Sequence, residues 1–307
     1  MELSIVVPVY NEEGSVAALH KELVATLKHI TDSYEIIFVD DGSQDNTLKE
    51  LQKLSPITII ALGRNTGQSA ALKAGFDHAQ ADIIISLDGD GQNPPKEIPK
   101  LLKKLNEGYD VVSGWRKHRK DPLFKKLVSR VGVKLHHLAI NDGVQDSGCT
   151  LKAYRARYVK DLELWGELHR YLPALLKLRG ARVAEVVVEH RERRAGKTKY
   201  SMLKVFKGLV DLGLVWFWQK YSSRPVHLFG ALSLLLITAG GAMGLWAAYL
   251  KWGPRGVSLS DTFLPHLSAF SILIGVHLFA TGILADILIR NYYRGRPPYH
   301  VREIITQ

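Results

Sequence analysis

Two stretches near the carboxyl end limit most strongly what this chain can fold into. Pro225 to Leu250 is 26 residues without a Lys, Arg, Asp or Glu, and Thr262 to Ala285 is 24 more. At about 1.5 Å of rise per residue, either one, as a helix, crosses a hydrocarbon core of about 30 Å. Two such lengths in tandem predict a membrane hairpin and not a pair of core helices. The segment between them, Lys251 to Asp261, is short. Lys220 and Arg224 precede the pair, and Arg290, Arg294, Arg296 and Arg302 follow it. Under the positive-inside rule both outer flanks are expected on the cytoplasmic side. Gly240-Gly241-x-x-Gly244 predicts close packing of the two helices.

Everything before the hairpin follows a different pattern. Short apolar runs alternate with stretches of helical spacing. Leu3–Val9, Tyr34–Val39, Ile57–Leu62, Ile83–Leu87 and Tyr109–Ser113 read as buried strands. Ser15–Ile30, with Val16, Leu19, Leu23, Leu27 and Ile30 on one face, reads as a helix. Further helices are expected over about Asp45–Leu54, with Ser43 as N-cap, Gly67–Gln80 and Pro94–Leu105. Beyond them come a strand at Leu151–Tyr154, a helix at Glu167–Leu178 and a strand at Val183–Val188. Strand–helix alternation at this spacing predicts an α/β fold, a mostly parallel sheet flanked by helices. Ligands of such sheets bind beyond the carboxyl ends of the strands.

Each of the first five strands delivers polar residues at that end. They are Tyr10/Asn11/Glu12, Asp40/Asp41, Arg64/Asn65, Asp88/Asp90/Gln92 and Trp115/Arg116. Asp88 and Asp90 are one residue apart, so on an extended backbone they point the same way and can share one divalent cation. Gln92 adds a neutral oxygen. An ordinary acidic turn is the plain alternative, and the polar clusters after the neighbouring strands weigh against it. No G-x-G-x-x-G lies between a strand and a helix. Gly196-Lys197-Thr198 is not a P-loop, because Arg191 stands where its first glycine belongs. A bound nucleotide would therefore be held by acids at strand ends: Asp40 or Asp41 on base or ribose hydroxyls, and a metal at Asp88/Asp90 on a diphosphate.

Charge points the same way. With 41 Lys+Arg against 30 Asp+Glu, the chain favours a polyanionic partner: nucleic acid, phosphorylated ligands or an anionic membrane face. Asp121–Leu138 puts Leu123, Leu127, Val131 and Leu138 on one face, with Lys125, Arg130 and Lys134 mostly elsewhere. It reads as a surface helix, or as an interfacial one with its cations toward phosphates. His190–Lys199 is the most basic patch, a solvated loop or a phosphate-gripping one. Ser201–Tyr221 is amphipathic and aromatic, as headgroup-level helices are. Cys149 is the sole cysteine, which excludes an intrachain disulfide and a Cys-rich zinc site. No basic region followed by an apolar one opens the chain, so no signal peptide is expected.

Taken in order, Ile5-Val6-Val7-Pro8-Val9-Tyr10-Asn11-Glu12, Val39-Asp40-Asp41-Gly42-Ser43, Asn65-Thr66-Gly67-Gln68, Asp88-Gly89-Asp90-Gly91-Gln92 and Arg193-Arg194-Ala195-Gly196-Lys197-Thr198-Lys199-Tyr200 form a specific set. Together they resemble family 2 glycosyltransferases of GT-A fold, and among these the polyprenyl-phosphate glycosyltransferases. The likeness covers almost the whole chain. It implies a cytoplasmic catalytic domain over 1–200, with 121–140 lying near the membrane, and juxtamembrane helices over 201–222. Two spans at about 225–250 and 262–289 and a basic tail over 291–307 complete the layout. The resemblance implies that one sugar passes from a nucleotide sugar, UDP- or GDP-linked, to polyprenyl phosphate with inversion. Mg²⁺ or Mn²⁺ would be held by Asp88, Asp90 and Gln92. Pro8, Tyr10, Glu12, Asp40, Asp41, Gln68 and Asp88 would line the nucleotide-sugar pocket. Arg116, Arg130, Lys134 and Lys199 would meet the lipid phosphate. Asp90, Arg193 and Asp146 would serve the reaction centre. A homo-oligomer, a tetramer in some relatives, is expected, and nucleic acid is not. The family pattern has Ser where Thr198 stands and more often Ala where Gly89 stands. A processive polysaccharide synthase is the rival enzyme, but its Q-x-x-R-W-type motif is absent. A membrane-tethered nucleotide-sugar binder without turnover is the rival outside catalysis.

Overall fold

The computed structural model describes residues 2–117, 143–164, 166–191, 213–218, 220–221, 225–253, 256, 258 and 262–292. The chain divides into two compact units, Met1–Trp216 and Phe217–Gln307.

The first unit is built on a seven-stranded sheet of order β3-β2-β1-β4-β6-β5-β7. Its strands are β1 (Leu3–Val9), β2 (Tyr34–Asp40), β3 (Thr58–Ala61), β4 (Ile83–Ser86), β5 (Val111–Trp115), β6 (Lys152–Arg155) and β7 (Val183–Val187). β1 to β4 run parallel, and β5 runs parallel to β7. Only β6 is reversed, lying antiparallel to both β4 and β5. The reversal leaves β5 running with β4, so the carboxyl ends of β1, β2, β4 and β5 emerge on one edge. β1 is buried along its whole length, which explains why it reads as an unbroken apolar run and not as an alternating one.

The helices of this unit are α1 (Val16–Leu27), α2 (Thr47–Leu51), α3 (Gln68–His78), α4 (Ile98–Asn106), α5 (Ala156–Val159) and α6 (Leu172–Leu178). α1 buries Val16, Leu19, Leu23 and Leu27, four of the five positions its spacing singles out. Leu101 and Leu105 of α4 join them in a core with Ile5, Val7, Phe38, Ile85 and Val112.

Three expectations need correction. The N-cap position of α2 is Asn46, not Ser43, and the Asn46 side chain makes no capping hydrogen bond. The Ser43 hydroxyl donates to Asp40 Oδ1 and accepts from the Asn11 N–H at 2.9 Å, so it serves the loop and not the helix. The fifth strand begins at Val111, not Tyr109, and extends through Trp115, which pairs with Val187. Asp110 sits just ahead of it, with Oδ2 accepting from the Arg182 N–H at 2.9 Å. The helix expected from Pro94 opens as a 3-10 turn over Pro95–Glu97 before α4. Pro99, at the start of α4, has no N–H for the α pattern.

The second unit contains α7 (Pro225–Trp252) and α8 (Leu264–Tyr292). Only 11 % of the most apolar window of either helix is buried. A helix in the core of a soluble protein would be mostly covered, so length, composition and exposure all fit a pair of membrane spans. α7 and α8 pack closely where the glycines predict. A Cβ on Gly240 would lie 2.9 Å from the Ser268 carbonyl oxygen, and Ser268 Oγ donates to the Gly240 carbonyl at 2.7 Å. Gly241 faces open space and takes no part. Trp246, Tyr249, Trp252 and Phe263 are exposed around the connecting segment, as an interfacial belt requires.

Candidate active site

The loops leaving β1 and β2 are tied together. Asn11 adopts φ 54°, and its Oδ1 accepts from the Gln44 N–H at 2.8 Å. The Glu12 N–H donates to Thr47 Oγ1 at 2.8 Å. Glu12 Oε2 accepts from Ser15 Oγ at 2.9 Å, which fixes the entry to α1. Asp40 is buried at the end of β2 and also accepts from the Ser43 N–H at 3.1 Å. Pro8 is paired with Val39 within the sheet. Tyr10 follows β1 at the same edge.

Asp41 turns the other way and organises the loop between β3 and α3. Its Oδ1 accepts from the Thr66 N–H at 2.7 Å and Thr66 Oγ1 at 2.9 Å, and Oδ2 from the Gly67 N–H at 2.9 Å. Gly42 makes this possible. It has φ +69°, and a Cβ there would lie 2.5 Å from the Arg64 carbonyl carbon and 2.7 Å from the Asn65 nitrogen. The loop then delivers Gln68 at the start of α3, whose Nε2 donates to Asp88 Oδ1 at 2.6 Å.

Asp88, Asp90 and Gln92 follow β4. Asp90 is 5 % exposed, and its Oδ1 accepts from the Gln92 N–H at 3.0 Å. Burial, and then the charge of Asp90, push the Asp88 carboxyl up to about 6. A half-buried and a buried acid whose charges act on each other favour a cation between them. The described residues contain no group of three His, Cys, Asp or Glu side chains suited to a metal. The two carboxylates and the Gln92 amide supply hard oxygens of the kind that would suit Mg²⁺ or Mn²⁺. Gln92 also joins β7's continuation to this site. The Arg191 N–H donates to the Gln92 carbonyl at 2.9 Å, and Gln92 Nε2 lies 3.4 Å from the Arg191 carbonyl. Arg191 is thus held against Gln92, two residues beyond Asp90.

Arg116, after β5, is committed to Asp146. Nε donates to Oδ2 at 2.7 Å, Nη2 to Oδ1 at 2.8 Å, and the backbone N–H to Oδ2 at 3.2 Å. Both side chains are about nine-tenths buried, at 10 % and 11 % exposure. Glu185 of β7 holds the backbone of this segment, accepting from the Gln145 and Asp146 N–H groups at 3.0 and 2.9 Å. Lys152 of β6 is 2 % exposed. Its Nζ donates to the Cys149 carbonyl and, at 3.3 Å, to the Ser147 carbonyl. Burial lowers its pKa and pushes the neighbouring Cys149 thiol up to about 11.

The structure thus brings Gln68 to Asp88, Asp90 to Gln92 and Arg116 to Asp146, and puts Asp40 and Asp41 at the same sheet edge. Arg130, Lys134, Arg193 and Lys199 lie outside the described residues. Sequence reading passed over Lys152 and Glu185. The signal for Lys152 was a charge inside an otherwise apolar strand, Leu151–Tyr154. Glu185 sits in the same way within Val183–Val188.

A GT-A-like sheet with an acid pair at the end of its fourth strand defines a class, and comparison with known proteins agrees. Residues 4–163 match glycosyl transferase family 2, and the chain belongs to that family. It is 37 % identical to a dodecaprenyl-phosphate galacturonate synthase of Rhizobium johnstonii, over 99 % of this chain and 93 % of the relative. It is 33 % identical to an undecaprenyl-phosphate 4-deoxy-4-formamido-L-arabinose transferase of Proteus mirabilis, over 99 % and 94 %. The fold is that of glucosyl-3-phosphoglycerate synthase from Mycobacterium tuberculosis, solved with Mn²⁺ and UDP (TM-score 0.55, 17 % identity, 71 % of this chain and 78 % of that one). Mannosyl-3-phosphoglycerate synthase from Rubrobacter xylanophilus is similar as well (TM-score 0.57, 16 % identity, 72 % and 75 %).

Proposed function

We propose that this protein is a membrane-bound, metal-dependent glycosyltransferase that moves one sugar from a UDP- or GDP-sugar to polyprenyl phosphate with inversion. The observation that carries the reading is the Asp88/Asp90 pair, half-buried and buried, at the carboxyl edge of a family 2 sheet. It is supported by end-to-end likeness to relatives whose names specify dodecaprenyl or undecaprenyl phosphate.

Asp40 receives base or ribose hydroxyls, with Pro8, Tyr10 and Glu12 lining the same pocket. Asp41 acts by holding the loop that aims Gln68 at Asp88. Asp88, Asp90 and Gln92 would hold the metal, which would supply positive charge to the donor diphosphate. The acceptor needs little activation. Its second ionisation, by analogy with phosphoamino acids, lies near about 6, so it is largely dianionic and nucleophilic at neutral pH. Asp146 therefore has no need to act as a base. Through both oxygens it orients Arg116, whose Nη1 donors are left for a phosphate. Arg130, Lys134 and Lys199 hold the lipid phosphate, and Arg193 offsets charge growing on the leaving diphosphate. The catalytic domain and both termini face the cytoplasm, and the chain assembles as a homo-oligomer.

The test is a panel of radiolabelled nucleotide sugars given to membranes bearing the protein, with Mn²⁺ or Mg²⁺ and polyprenyl phosphate. Label extracted with the lipid from one donor supports the reading. No labelled lipid from any donor refutes it.

A further inference from the structure

Lys152 has no role in the reaction just described, yet it is one of the largest fully buried side chains in the protein. It sits in β6 at the register position between Ser86 of β4 and Ser113 of β5, the two strands that deliver Asp88 and Arg116. Its amine reaches back over the turn that precedes β6, donating to the carbonyls of Ser147 and Cys149. The same turn is closed by the Cys149 N–H donating to the Asp146 carbonyl at 3.2 Å. Lys152 also interacts electrostatically with Asp146 and Asp88.

The charge count gives this a purpose. Asp146 and Arg116 cancel each other. The Asp88 charge is felt first by Arg116 and then by Lys152, which acts from within the sheet. An apolar residue would fill the strand without the cost of burying an amine. We infer that Lys152 is a positioning residue. It ties the turn of residues 146–149 to the sheet, so that Asp146 stays locked on Arg116 beside the acid pair. The inference rests on the reading of this edge as the transferase site.

A double-mutant cycle on the full-length protein in membranes tests it. Lys152→Met keeps most of the unbranched side chain and removes the donors, and Asp146→Asn keeps the shape and removes the charge. Sugar transfer (kcat/KM for the donor) is measured for wild type, each single variant and the pair. Lys152→Met is expected to lose about 10–100-fold, as removal of a supporting partner does at metal sites. If Lys152 acts through Asp146, the pair is no more than about threefold worse than Asp146→Asn alone, because coupled residues are non-additive. Losses that multiply would overturn the inference and leave the site reading standing. Full activity in Asp146→Asn would remove the reading of Asp146, and the inference with it. Should Lys152→Met fail to accumulate, Lys152→Arg takes its place in the cycle, with a smaller loss but the same non-additivity expected.

Discussion

Gly42→Ala is the sharpest local test of how the loops are built. The new methyl would meet backbone on every side, 2.5 Å from the Arg64 carbonyl carbon, 2.7 Å from the Asn65 nitrogen and 2.8 Å from the Arg64 Cα. No side-chain rotation relieves these contacts. Contacts this short against backbone cannot be held, so the β3–α3 loop must shift away from residue 42. The shift weakens or breaks one or two of the three hydrogen bonds to Asp41, of 2.7 to 2.9 Å, each worth about 1.5–3 kcal/mol to a charged acceptor. A left-handed L-residue adds about 1–2 kcal/mol, so the whole cost is roughly 3–8 kcal/mol. At roughly 2–4 °C per kcal/mol for a domain of this size, Tm falls by roughly 6–30 °C. Because the same loop carries Gln68 to Asp88, KM for the donor rises as well. Gly63→Ala, with nothing within 4 Å of its Cβ, is the control and leaves Tm within about 2 °C. Differential scanning fluorimetry and donor titrations read both. A Gly42→Ala protein within about 1 kcal/mol of wild type, or one that keeps its Tm and loses donor binding, would refute the reasoning.

Other outcomes follow from the same geometry. Asp146→Ala strands Arg116 as a buried, unpaired cation and costs about 3–5 kcal/mol, while replacing both partners with apolar residues of similar size costs far less; equal losses in chemical denaturation would contradict this. Asp88 has its folded pKa raised to about 6. It therefore stabilises the metal-free protein below its ordinary carboxylate range, and that contribution is lost as pH rises from about 4 to about 6, by roughly 3 kcal/mol. In EDTA, Asp88→Asn should overtake wild type in stability across that window, and parallel pH curves would count against the raised Asp88 pKa. Chelation should abolish sugar transfer and added Mn²⁺ or Mg²⁺ restore it, so undiminished turnover in EDTA would remove the metal. Cys149, buried with its thiol pushed up to about 11, should react with a thiol reagent only after unfolding, and rapid labelling of the native protein would disagree.

The sheet was legible because its signals are local. β1 matches its apolar run residue for residue, and α7 and α8 follow from charge-free length alone. What escaped is what depends on partners distant in sequence. Ser43 has the chemistry of an N-cap, but Asp40 and Asn11 compete for its hydroxyl. The reversal of β6 cannot be read from Leu151–Tyr154, since a short strand looks the same in either direction. Arg116 reads as a free cation after a strand until Asp146, 30 residues on, is folded against it. Lys152 looks like a surface charge unless β6 is known to lie between β4 and β5. The acid pair stood out by its spacing, but β4 ends at Ser86 and the chain turns at Gly89 and Asp90, so the two acids do not share the extended backbone that the spacing assumes.

The central claim is that one sugar moves to a polyprenyl phosphate under the control of that pair. Mass spectrometry of the lipid formed by the purified protein, its donor and polyprenyl phosphate tests it most directly. The account predicts a single new species, polyprenyl phosphate plus one sugar residue, that disappears in Asp90→Ala. A ladder of longer products, or an undiminished product from Asp90→Ala, would contradict it.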